Sequence, residues 1–285
     1  MPKTQQEQRA ILIGYGEVGR IFADHLDAKG HPFDIVDPVA TCTDGGRIVH
    51  RGLEEIDISN SLILGVFPSA AALSVAKSIA ARDATALYVD LSSSPQATMR
   101  EAAALFGSRT TDFVDGAIMG SVDAGGVNSP IILSGPASAD AARALEQLGF
   151  NVRALPNSKA GDACGLKLLR SLLTKGMEAL AIECFATAEK MGLSNEVRES
   201  LLDVNARPFP DLMDAMVRTH VVHAPRRQYE VAAAIDQARA HGLKAPVSEA
   251  VLDAYRKNAA RIEAERPGVP ATVQEALKWL SKGME

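Results

Sequence analysis

Apolar and polar positions in the first half of the chain alternate between two periods. Short apolar runs, AILIG (10–14), FDIVD (33–37), SLILGVF (61–67), ALYVDL (86–91), TDFVDGAIM (111–119) and PIILSG (130–135), have the length and composition of buried strands. Between them EVGRIFADHLDAKG (17–30), SAAALSVAKSIAARD (69–83) and SPQATMREAAALFG (94–107) carry apolar residues at helical spacing. Strands that alternate with helices predict crossover connections, and so an α/β fold with a doubly wound, mostly parallel sheet. After NVRALPN (151–157) the strand signal ends. The remainder reads as all-α, with one long apolar helix over 160–191 and then segments broken at ARPFPD, HAPRR, GLKAPVS and RPGVPAT. The expected domains are therefore 1–157, α/β, and 158–285, all-helical.

One helical stretch departs from simple amphipathicity. In CGLKLLRSLLTKGMEAL (164–180), Lys167, Arg170, Ser171, Thr174, Lys175 and Glu178 share an arc, while Leu168, Leu169, Leu172, Leu173, Met177 and Leu180 fill the other side. Farther along, Ile182 and Phe185 take over the polar arc, and Glu183 and Thr187 fall on the apolar side. A solvated face and a buried helix with a polar insert both begin this way. The early end of the stripe favours the insert, which is where functional sites are found.

Composition narrows the options. With 285 residues, 47% hydrophobic and 23% charged, the chain can build ordinary cores in two domains. A net charge of −5 and a single Trp argue against a nucleic-acid partner. Cys42, Cys164 and Cys184 are far apart and have no metal-type spacing to the six histidines, so no metal site is expected and the thiols suit a reducing compartment. MPKTQQEQRA lacks the apolar core of a secretory signal, and no apolar run reaches membrane-spanning length. A cytoplasmic protein without a membrane partner is the expectation.

Candidate chemistry begins at AILIGYGEVGR, where Gly14, Gly16 and Gly19 have GxGxxG spacing directly after a strand and at the start of a helix. The first glycine allows the tight turn, the second lets the backbone approach a diphosphate, and the third lets helix and strand pack closely. The helix N-terminus offers free N–H groups and a favourable dipole. The second strand then ends in Asp37, whose carboxylate can accept from ribose hydroxyls and would repel a 2′-phosphate, and no Arg immediately follows it. This reads as a Rossmann dinucleotide site for NAD rather than NADP. Its expected residues are Gly14, Tyr15, Gly16, Glu17, Val18, Gly19, Asp37, Phe67 and Pro68.

A Rossmann domain, a junction near 157 and a helical remainder opening on a lysine-bearing helix together resemble the β-hydroxyacid dehydrogenase family, which includes 3-hydroxyisobutyrate and 6-phosphogluconate dehydrogenases. The likeness covers nearly the whole chain. RSLLTKGMEAL and HAPRRQYE are similar to an uncharacterised subgroup with a C-terminal domain of unknown function. VDLSSSPQ (89–96) is similar to the family's D-x-S-T segment by the nicotinamide ribose, with Ser93 at the threonine position. VDGAIMGSVDAGG (114–126) is similar to the substrate-binding D-A-P-V-S-G-G segment. GDACGLKLLRS (161–171) is similar to the catalytic G-x-x-x-K-x-x-x-N segment, which puts Lys167 at the catalytic lysine. Two positions depart from the pattern: Met119 replaces the substrate-contacting serine, with Gly120 retained and Ser121 next, and Ser171 replaces the asparagine. RRQYEVA (226–232) is similar to the K-D-L-x-L-A helix, with Arg227 in place of a lysine.

The resemblance implies an NAD(P)-dependent oxidoreductase acting on CH–OH, with a 3-hydroxyacid-like or other anionic β-hydroxy substrate. Lys167 would be the general acid/base, with Ser171 and Ser121 as further catalytic residues. Met119, Gly120, Arg170, Lys175 and Arg227 would contact the substrate. Arg226 and His223 could add positive charge there, although Lys175 and Arg226 also read as surface residues, and His220 and His223 as polar residues of a helix end. Imine reduction on the same fold and a non-catalytic NAD sensor are the alternatives. A long helix too apolar to be covered by a few short ones, together with the family likeness, implies a homodimer through the helical domain.

Overall fold

The computed structural model describes residues 9–40, 46–82, 84–107, 109–120 and 122–284. Cys42 and Ser121 lie outside them. Strands β1 (Ala10–Ile13), β2 (Phe33–Val36), β3 (Val49–His50), β4 (Leu62–Gly65), β5 (Leu87–Asp90), β6 (Asp112–Ile118), β7 (Ile131–Ser134) and β8 (Val152–Ala154) form one sheet. Its order is β3-β2-β1-β4-β5-β6-β7-β8, and every neighbouring pair is parallel except β6–β7. This is the doubly wound, mostly parallel sheet that the alternating pattern predicts. Edge strand β3 has only two residues and too little apolar pattern to be seen in advance.

The connections are α1 (Glu17–Ala28), α2 (Ala72–Ala80), α3 (Gln96–Ala104), the single turn α4 (Val122–Gly125) and α5 (Ser138–Gln147). Alternation along β1 explains the two cores: Ile11 and Ile13 join one buried cluster, and Ala10 and Leu12 join the other. A strand buried on both faces must be apolar throughout, which is why β1, β4 and β7 read as continuous runs.

The chain divides into two compact units, 1–172 and 173–285. Strand structure ends at Ala154, close to the junction read at 157, but the division between units falls inside α6 (Asp162–Met191). The opening turns of that helix, with Lys167, thus pack with the sheet.

The second unit contains α7 (Ser194–Ser200), α8 (Phe209–Ala240), α9 (Pro246–Glu265) and α10 (Val273–Ser281). One expectation fails here: α8 runs unbroken through HAPRR, with Pro225 in its interior. Proline has no N–H for the Val221 carbonyl, which weakens the helix locally. Burial of Val221 and Ala224 on this face offsets the loss. The anomalous Glu183 also finds its reason. Its carboxylate accepts from Val247 N (2.7 Å), Ser248 N (2.9 Å) and Ser248 Oγ (2.6 Å), capping the first turn of α9.

Leucines of α6 stay open to solvent in the single chain, Leu169 at 68% and Leu172 at 76% exposure. Such a row of large apolar side chains is unusual for a surface left bare.

Candidate active site

The site is built at the C-terminal ends of the parallel strands, where doubly wound sheets bind ligands. Gly14 turns the chain out of β1 at φ +105°, and a Cβ there would lie 2.5 Å from Val66 O. A Cβ on Gly19 would lie 2.2 Å from Gly14 O, so α1 packs against the turn at a distance only glycine permits. Gly16 differs, because its Cβ direction meets nothing among the described residues within 4 Å. It faces open space at the N-terminus of α1, where the first N–H groups lack helical acceptors. Two glycines serve packing, and the third leaves open space at the helix N-terminus that a diphosphate would fit.

That cradle opens into a cavity of about 790 Å³ lined by Gly14, Tyr15, Gly16, Glu17, Asp37, Phe67 and Pro68, among others. Asp37 lies at its rim. Its Oδ2 accepts from Tyr15 N (2.7 Å), and its Oδ1 from Val39 N and Ala40 N (both 2.8 Å). Partial burial disfavours its charge, but these N–H groups and the nearby Arg51 outweigh burial and hold the carboxyl below the usual carboxylate range. A carboxylate offers about four acceptor sites. Three are occupied, so one is left for a ribose hydroxyl, whereas the sequence suggests room for both. The donor set, the open glycine and the cavity fit a dinucleotide.

A smaller cavity, about 200 Å³, is lined by Val18, Val66, Phe67, Leu91, Ser92, Ser93, Ile118, Gly120, Val122 and Lys167. It shares Val66 and Phe67 with the larger one. Lys167 Nζ donates to Ser93 Oγ at 2.6 Å. Burial pushes the lysine's pKa down, and the neighbouring Cys164 acts weakly in the opposite direction. Ser93 sits at φ +59°, in the left-handed region that non-glycine residues seldom occupy. Gly120, at φ +83°, lines the same cavity without a side chain. An amine whose pKa is pushed down, a hydroxyl and a glycine are thus gathered in a cavity that shares two wall residues with the glycine-turn cavity.

Other residues singled out in the sequence are not among those lining the two cavities. Met119 packs against a core cluster of the sheet. Arg170 is exposed, and Ser171 is partly buried one turn beyond Lys167. Lys175 is exposed and paired with Glu178 at 2.7 Å. In the helical unit, Arg227 bonds Thr219 Oγ1 at 3.4 Å, and Arg226 pairs with Glu230. Half-buried His220 meets Asn258 at 3.0 Å and the edge of Tyr255, and burial followed by the charge of Arg227 pushes its pKa down. Among the described residues, no group of three His, Cys, Asp or Glu side chains is arranged to hold a metal, and no helix is long and apolar enough to cross a membrane.

Sequence reasoning missed Arg51 and Arg47. Arg51 reaches Pro38 O at 2.9 Å, and Arg47 reaches the Tyr15 hydroxyl at 2.9 Å while pairing with Asp24 and Asp27. No motif marks either residue. The pairing of β3 with β2, Val36 opposite His50, brings this segment to the cofactor rim.

Comparison with known proteins agrees with this architecture. Residues 188–257 match the family described as Domain of unknown function (DUF1932). An uncharacterised 28.5 kDa protein of Methanothermus fervidus is 27% identical over 248 residues, covering 83% of this chain and 93% of its own. Among solved structures, the conserved protein MTH1747 matches with a TM-score of 0.59 at 26% identity, over 88% of this chain and 96% of its own. It is of unknown function and was described as structurally similar to 3-hydroxyacid dehydrogenases. An imine reductase from Aspergillus terreus, solved with NADPH4 and a dibenzazepine, matches with a TM-score of 0.75 at 18% identity, over 95% and 99%. The chain has the fold shared by the 3-hydroxyacid dehydrogenase-like and imine reductase structures, and part of its helical half is similar to the DUF1932 family.

Proposed function

We propose that the chain is a nicotinamide-dependent oxidoreductase acting on a small anionic β-hydroxy compound of the 3-hydroxyacid type, with Lys167 as general acid/base. The observation that carries the reading is the half-buried Lys167–Ser93 pair in a cavity that shares two wall residues with the glycine-turn cavity. Bound in the cleft, the dinucleotide supplies the hydride acceptor or donor. In oxidation, neutral Lys167 takes the hydroxyl proton; in reduction, its ammonium donates to the carbonyl oxygen. Ser93 accepts from the lysine and fixes the direction in which its remaining N–H bonds or lone pair point. Gly120, without a side chain, leaves room for substrate carbon beside the amine. Arg170 is the cation offered to the substrate's anionic group, and Ser171 and Ser121 its further hydroxyl contacts.

NAD is the proposed cofactor because Asp37 keeps its charge at the ribose end of the cleft, where a 2′-phosphate would be repelled. The fold likeness to an imine reductase that was solved with NADPH4 supports a second reading, reduction of C=N. An amine that can take up a hydroxyl proton favours the CH–OH reaction. A panel of hydroxyacids, polyols, their phosphates and cyclic imines, each offered with NAD(H) and NADP(H), separates the two. Hydroxyacid-dependent NADH formation supports the first reading, and turnover of imines alone supports the second. Tight NADH binding without any turnover would point to a sensor.

The exposed leucine row on α6 supports a homodimer, in which a second copy covers Leu169 and Leu172. Light scattering at micromolar concentration should return twice the 30.2 kDa chain mass. A monomeric mass would contradict it.

A further inference from the structure

Lys167 and Ser93 come from different elements, and a separate buried carboxylate anchors each element. Parallel pairing of β5 with β6 places Asp90 opposite Asp115, and both side chains are fully buried. Asp90 serves the serine side: its Oδ1 accepts from Ser92 N at 2.9 Å and its Oδ2 from the Tyr88 hydroxyl at 2.7 Å. Asp115 serves the lysine side. Its Oδ2 accepts from Ser134 Oγ (2.7 Å) and from the main-chain N–H groups of Gly161 (2.9 Å), Ala163 (3.0 Å) and Cys164 (3.2 Å). Ser134 Oγ in turn accepts from Ala163 N at 2.9 Å.

These N–H groups are the orphan donors at the start of α6, one turn before Lys167. A carboxylate here also faces the positive end of the helix dipole. The other oxygen, Asp115 Oδ1, is buried without a hydrogen-bond partner among the described residues. The arrangement is costly as well as stabilising, because the carboxylate is desolvated and one of its oxygens stays unpaired. Its value is geometric: one atom fixes the rotation and advance of α6 against β6 and β7.

We propose that Asp115 is the positioning residue for Lys167, holding the start of α6 so that the amine reaches Ser93 in the half-buried cavity. The inference rests on the reading of Lys167 as the acid/base group, and it deepens that reading. The titratable group packed beside Lys167 on its own helix is the Cys164 thiol, which burial keeps protonated, with the charge of Asp115 adding to the effect.

Competitive acetylation with acetic anhydride across a pH series, read by mass spectrometry of the Lys167 peptide, tests it without requiring turnover. In the wild-type chain Lys167 should label at lower pH than the exposed lysines. Asp115→Ala should move that profile up to theirs, because a loosened helix start lets water reach the amine. Asp115→Asn keeps an oxygen for the same N–H groups and should recover most of the wild-type profile. A purely electrostatic role predicts the opposite sign, since removing an anion lowers a lysine's pKa. A cooperatively melting Asp115→Ala chain with an unmoved or lowered Lys167 profile overturns the inference. Where that variant does not fold, Ser134→Ala decides: a smaller upward shift is expected, and no shift overturns it. Wild-type Lys167 labelling like an exposed lysine is a separate failure, that of the acid/base reading itself.

Discussion

Lys167 Nζ lies 2.6 Å from Ser93 Oγ, and the serine that receives this bond is held at φ +59°. The backbone strain and the hydroxyl contact can be separated. Ser93→Gly removes the hydroxyl and relieves about 1–2 kcal/mol of left-handed strain, against about 0.4–1 kcal/mol for glycine's extra freedom in the unfolded chain, so thermal stability should hold or rise. Ser93→Ala keeps the strain and should melt below the glycine variant. Both should lose turnover. A glycine variant with wild-type turnover would remove Ser93 from the proposed mechanism.

The pH dependence follows from the direction of the lysine shift. Burial places the Lys167 pKa below the usual 10.5, so a neutral amine appears at lower pH than on a surface lysine. For oxidation, which needs the neutral amine, kcat/KM should rise with pH and level off above this lowered pKa. For reduction, which needs the ammonium, it should fall over the same range. A pH profile with the same sign in both directions would contradict a single acid/base group.

Cofactor choice depends on Asp37. Asp37→Asn loses the charge and keeps an oxygen for only one of its two donor sets, Tyr15 N or Val39 N with Ala40 N, and a hydrogen bond to a charged group contributes about 1.5–3 kcal/mol. NAD affinity should fall by about tenfold or more, while NADP binding should strengthen as repulsion is removed and Arg51 is left without its neighbouring carboxylate. Fluorescence titration with NADH and NADPH measures both. An unchanged ratio of the two affinities would take Asp37 out of the selection.

Stability of the helical unit depends on Glu183. Loss of a helix cap costs about 0.5–2 kcal/mol, so Glu183→Ala should lower the melting temperature. The folded-state pKa of Glu183 is lowered: burial opposes this, and the Ser248 and Val247 donors outweigh it. Its contribution is therefore complete above the unfolded value of about 4.5 and lost as pH falls through the lower folded value. The melting difference between wild type and variant should shrink in acid. A difference that grows in acid would contradict the cap.

Much of this architecture was legible in the chain. Strand–helix alternation and the GxGxxG turn after β1 lead directly to a doubly wound sheet with a cleft at Gly16. The β6–β7 reversal was not legible, because strand direction depends on tertiary pairing and no local period records it. Neither were the roles of Asp115 and Asp90: both fall in segments that resemble family motifs, but what their carboxylates hold emerges only once parallel register sets them side by side. Glu183 was visible as an anomaly on an apolar face, but its partner lies in α9, far along the chain. The proline at 225 misled because local propensity weighs its missing N–H and not the burial around it.

The most direct test of the central claim is NADH formation by wild type and Lys167→Ala over a panel of 3-hydroxyacids, with NADH binding measured in parallel. A general acid/base contributes about 10²- to 10⁴-fold. The account predicts turnover of at least one hydroxyacid by the wild type, a loss of that order in the variant, and nearly unchanged NADH binding. Equal turnover by the two chains would contradict it.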